Sequence, residues 1–104
     1  MASKYKFTDM ATDDLDKILN YISNTLCNHQ AANNLFNNIF KTIDNIVDYP
    51  LSYPLTENDL ARSKNIRKAI IDNYNLHYVI ENNIIWIVRI IYNKRDLSGI
   101  PNLY

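Results

Sequence analysis

The sequence predicts an α+β fold in which an antiparallel sheet, in the order β-α-α-β-β-β, packs against an α-helical hairpin. Three observations lead to it. Residues 66–96, IRKAIIDNYNLHYVIENNIIWIVRIIYNKRD, divide into three short runs rich in β-branched and aromatic residues, separated by Asn-rich punctuation. Two longer stretches before them repeat apolar residues at helical spacing. The 104 residues, 47% of them hydrophobic, are enough for one domain with a single two-layer core.

Taken in order, Lys4-Tyr5-Lys6-Phe7-Thr8 alternates polar with aromatic residues and predicts a short edge strand with its charges outward. From Thr12 the period changes. Leu15, Ile18, Leu19, Ile22 and Leu26 predict a helix over 13–26, with Thr12 as its N-cap and Asp13, Asp14 and Asp16 at the favourable end of its dipole. Cys27-Asn28-His29 is a tight connection. A second stripe, Ala32, Leu35, Phe36, Ile39, Phe40, Ile43 and Ile46, predicts a helix over 30–48, ended by Tyr49-Pro50. Phe36, Ile39, Phe40 and Ile43 are the expected contacts with the sheet.

Residues 51–65 read as a loop or one short turn that brings Arg62 and Lys64 next to the first meander strand. The strands fall at 66–72, 74–80 and 84–92, joined by turns at Asp72-Asn73 and Glu81-Asn82-Asn83. In the last strand strict alternation places Ile84, Trp86, Val88, Ile90 and Tyr92 on one face and Ile85, Ile87, Arg89 and Ile91 on the other. Apolar residues on both faces mark a central strand. Arg89 in that setting needs a partner or a cleft. The tail LSGIPNLY is expected to be loop or a frayed end.

Formal net charge is zero, with a pI near 6.7, yet residues 1–59 carry −4 and residues 60–104 carry +4. One surface should therefore meet an anionic partner, while the overall balance excludes tight non-specific polyanion binding. Cys27 has no second cysteine to pair with, and no signal peptide or apolar span is evident, so a cytoplasmic protein is expected. His29 and His77 are the only histidines and form no ligand cluster; no metal or cofactor is expected.

The order of these elements, with the stretches ATDDLDKILNYI, AANNLFNNIFKTIDNIVDYP, IRKAIIDNYNLHYVI and IIWIVRIIYNKRDL, resembles the RelE/ParE family of bacterial toxin–antitoxin toxins over nearly the whole chain. The resemblance implies a single toxin domain over 1–104, neutralised by a cognate antitoxin in a hetero-oligomer. It implies one of two activities: a ribosome-dependent mRNA endonuclease or a poison of DNA gyrase. The endonuclease, metal-independent and acting on mRNA at the ribosome, is the main expectation. The gyrase branch is the alternative, because the second helix is long and no histidine follows His77. A non-toxic binding module with the same fold is a third class.

Cleavage of RNA through its own 2′-OH needs a base for that proton, cations for the phosphorane charge and an acid for the leaving oxygen. Arg suits the cation role through its planar fork. By resemblance, Arg67 and Arg89 match the family's strand arginines, and Tyr92 lies where family nucleases place an acid–base or stacking group. Arg62, Lys64, Lys68, Lys94 and Arg95 are the expected phosphate contacts. Each has a structural alternative: Arg67 and Lys68 as the solvated side of a strand, Tyr92 as the core rim, and His77 as a packing residue within the sheet.

Overall fold

The computed structural model describes residues 4–57 and 59–93. Strand β1 (Lys4–Phe7) leads into α1 (Asp9–Asn20), a π-helical segment (Tyr21–Thr25), α2 (His29–Asp48) and the short α3 (Asp59–Ser63). Strands β2 (Arg67–Ile71), β3 (Tyr74–Glu81) and β4 (Ile84–Tyr92) follow. The sheet order is β1-β4-β3-β2, with the meander antiparallel and β1 parallel to β4. The sheet is therefore mixed, where an antiparallel one was expected. Alternation of polar and apolar residues is the same for either pairing, so the four residues of β1 could not reveal their direction relative to β4.

The first helix starts earlier than expected. Thr8, not Thr12, is its cap: Thr8 Oγ1 accepts from the Ala11 N–H at 3.1 Å and donates to the Val88 carbonyl of β4 at 3.1 Å. A tertiary bond to β4 thus helps select which threonine begins the helix. At its other end the backbone widens to π spacing, with Leu26 N–H bonded to the Tyr21 carbonyl at 3.0 Å, and turns at Cys27 with φ 51°. Asn28 caps α2 as expected, its Oδ1 accepting from the Ala31 N–H at 3.0 Å.

The core lies between this hairpin and one face of the sheet. Ile39, Ile43 and Ile46 of α2 meet Leu76, Tyr78, Ile85 and Ile87, all fully buried. Phe36 departs from expectation at 44% exposure. It stands at the border of the stripe, against Phe40 with ring centroids 4.7 Å apart, and Phe40 in turn reaches Phe7 of β1.

Strict alternation fails in β4. The register with β3 slips between His77 and Tyr78, pairing Tyr78 with Ile87 but His77 with Arg89, so that Val88 is an extra residue. That bulge reverses the faces beyond it. Ile85 and Ile87 point to the helices, then Ile90 (2% exposed) rather than Arg89 rejoins the core. Arg89 and Ile91 belong instead to the sheet face that no helix covers among the described residues. Opposite them, the β3–β4 turn is made by Asn82 and Asn83, both at positive φ (53° and 62°), the requirement of a two-residue type I′ hairpin.

Candidate functional site

Strand β1 ends at Phe7, which pairs with Ile87, and leaves the next stretch of β4 without a strand neighbour on that edge. The beginning of α1 fills the gap. Besides the Thr8 bond to Val88, Asp14 Oδ2 accepts the Ile90 N–H at 3.0 Å and Arg89 Nε at 2.7 Å, while Arg89 Nη2 reaches Asp14 Oδ1 at 3.1 Å. Arg89 is held in both prongs of its fork, although its side chain keeps 40% of its exposure. Burial alone would raise the Asp14 pKa. The hydrogen bonds from Arg89 and Ile90, with the guanidinium charge, outweigh it and hold the carboxyl below its ordinary value of 3.8. The same hydrogen bond to Asp14 raises Arg89.

Arg67 belongs to another place. It pairs with Tyr78 and lies with Ala69 and Ile71 on the helical side of β2, where Nη1 donates to the Tyr53 carbonyl at 2.6 Å. This bond pins the loop after α2 along the outer edge of β2, together with Lys68 N–H to the Pro54 carbonyl and Thr56 N–H to the Ile66 carbonyl. Tyr78 completes the attachment through its hydroxyl, bonded to the Pro50 carbonyl at 2.6 Å, and burial pushes its pKa up to about 12. Arg67 and Arg89 are thus on opposite faces of the sheet and do not converge.

The residue that shares a row with Arg89 is Lys68. The register runs Lys68–His77–Arg89 across β2, β3 and β4 on the helix-free face. His77, half-buried between the two cations, has its pKa lowered by burial first and then by Lys68 and Arg89. Val79, Trp86 and Lys6 form the neighbouring row, with Lys6 Nζ 5.7 Å from the centre of the Trp86 ring. The signal for this row was present in the Lys-Ala-Ile alternation of β2, but the Val88 bulge hid its continuation to Arg89. Arg62 lies in the last turn of α3 and Lys64 follows the helix, both exposed. Lys94 and Arg95 lie outside the described residues.

Tyr92 falls at the mouth of a cleft of about 870 Å³ between the end of the sheet and the helical hairpin. Ile18, Ile22, Leu35 and Ile90 line its floor, and Tyr21, Leu26, Ile91 and Tyr92 stand exposed around it. Tyr92 meets Tyr74 edge to face, with ring centroids 5.4 Å apart. Burial, followed by the neighbouring Tyr92 and Tyr21, raises the Tyr74 pKa.

Charge is sorted by layer. The strands hold Lys4, Lys6, Arg67, Lys68 and Arg89 against Glu81, a net of +4. The long helices hold Asp9, Asp13, Asp14, Asp16, Asp44 and Asp48 against Lys17 and Lys41, a net of −4. Among the described residues, no helix is long and apolar enough to cross a membrane.

Comparison with known proteins adds two findings. The sequence profile described as "ParE toxin of type II toxin-antitoxin system, parDE" matches residues 5–97. A solved structure described as "Chromosomal ParDE TA system from P. aeruginosa" is similar in fold, with a TM-score of 0.69 and 19% identity, covering 88% of this chain and 96% of that one. A sequence search of curated proteins finds no match.

Proposed function

Because the chain belongs to the ParE toxin family of type II toxin–antitoxin systems, we propose that it arrests growth by poisoning DNA gyrase and is held inactive by its cognate antitoxin. The family match over residues 5–97 is the observation that carries this choice. It favours the gyrase branch over the endoribonuclease acting on ribosome-bound mRNA. The placement of the arginines supports the same choice. A nuclease of the expected kind would aim Arg67 and Arg89 together at one phosphate, whereas here they lie on opposite faces, one bonded to Asp14 and the other to Tyr53.

The antitoxin's place is the cleft beside Tyr92. An exposed rim of Tyr21, Leu26, Ile91 and Tyr92 over an apolar floor suits an amphipathic segment, because Asp14 and Arg89 at the rim already neutralise each other. Toxin and antitoxin would then form a hetero-oligomer in the cytoplasm.

The experiment is an induced culture read in parallel with purified gyrase. A gyrase poison raises DNA-damage signalling before translation falls, and the purified protein inhibits supercoiling and accumulates cleaved DNA. Early loss of mRNA and translation, with gyrase unaffected in vitro, would reverse the choice. No arrest by either route would leave the fold as a binding module.

A further inference from the structure

The helix-free face of the sheet has cations along both of its edges. Lys4 and Lys6 extend from β1, and Lys68 from β2, with Trp86, Val79 and His77 between them. The two edges are three strand spacings apart, about 14 Å at roughly 4.8 Å each. That separation is close to the ~12 Å width of the DNA major groove, so one duplex can offer phosphates to both edges. None of the three lysines is in a salt bridge among the described residues, whereas Lys17 on the helical side is paired with Asp13 at 2.9 Å. Among the described strand residues Glu81 is the acid on this face, at the end shared with Lys4; Arg89 is balanced by Asp14. Lys68 and Arg89 flank His77 in one row of this face, in keeping with the lowering of the His77 pKa by burial and then by these two cations.

We propose that this face docks on the phosphodiester backbone of duplex DNA, with Lys4, Lys6 and Lys68 as the phosphate contacts. The proposal rests on the gyrase reading in one respect, the identity of the polyanion: the target's own substrate is duplex DNA. The acidic helical layer, on the far side of the sheet, turns away from the DNA and fixes the orientation of approach. Three contacts give weak, salt-sensitive binding without sequence preference. Such binding acts when the target has already gathered protein and DNA together.

The test measures anisotropy of a labelled duplex with the full chain across a salt series. Wild type should show a slope of log affinity against log salt near −2.7, the value for about three phosphate contacts at roughly −0.9 each. Lys6→Ala with Lys68→Ala should reduce the slope to near −0.9 and the low-salt affinity at least tenfold. Lys68→Arg should bind as wild type. Lys41→Ala removes the same charge from the outer side of α2 and should change nothing.

A slope near zero, equal binding by the double variant, or an equal loss in Lys41→Ala would each overturn the proposal. Tighter Lys6- and Lys68-dependent binding of single-stranded RNA than of duplex DNA would overturn the choice of DNA. Running the same proteins against gyrase separates the two readings. DNA bound through Lys6 and Lys68 by a chain that leaves gyrase untouched supports this face and removes the gyrase reading. Gyrase poisoned by a double variant whose DNA binding equals that of wild type does the reverse.

Discussion

Arg89 is a charge in a strand interior whose partner comes from a helix. Asp14 satisfies three donors at once, two from the guanidinium and one from the Ile90 N–H. Asp14→Ala should therefore cost about 1–2 kcal/mol, the range of a charge-assisted hydrogen bond discounted for the exposure of Arg89. In a double-mutant cycle with Arg89→Ala the two losses should overlap by at least ~0.5 kcal/mol, measured by urea unfolding. The pH dependence has a definite sign. Asp14 is held below its ordinary 3.8, so its contribution is complete above that value and is lost as pH falls through the folded pKa. Acid unfolding of Asp14→Asn should accordingly be flatter below about pH 4 than that of wild type. The need of Arg89 for a partner was legible in the sequence. The partner was not, because Asp14 read equally well as a charge placed for the helix dipole.

Among the elements, the two helices and the three meander strands were legible from period alone, since each must bury one face. Their irregularities were not. The Val88 bulge and the π-helical turn each alter a repeat by one residue, and apolar residues on both sides of the change conceal it. Deleting Val88 should remove the bulge while keeping Ile87 and Ile90 on the core face and Arg89 on the open face, so soluble, cooperatively unfolding protein should be recovered; an insoluble product would show that the bulge does more than set the faces. The α2 stripe gives a graded comparison. Ile39→Ala, at a fully buried site, should lose roughly 2–5 kcal/mol, whereas Phe36→Ala, 44% exposed at the stripe's border, should lose clearly less in the same thermal melts.

At the scale of the whole molecule, the opposite charges of the two halves of the sequence become opposite charges of two layers, because the helices come from the first half and most of the sheet from the second. That much was visible in the chain. The separation of Arg67 from Arg89 was not, since it depends on the bulge. The cleft was also out of reach, as it is assembled from α1, the π-helical turn, α2 and the end of β4. Leu26→Glu, on its exposed rim, should weaken capture of the cognate antitoxin at least tenfold by calorimetry, the order of truncating an interface anchor, while the melting temperature changes little.

Strand β4 is the last described strand along the chain but an interior one in the sheet, and its pairing of Lys4 with Ile84 joins residues at nearly opposite ends of the sequence. During synthesis β1 therefore waits, without its neighbour, until the chain through β4 has left the ribosome. A nascent toxin cannot complete its sheet early. During that interval the hairpin is made but the sheet is still open, and any premature stop ahead of β4 leaves a chain that cannot assemble the fold.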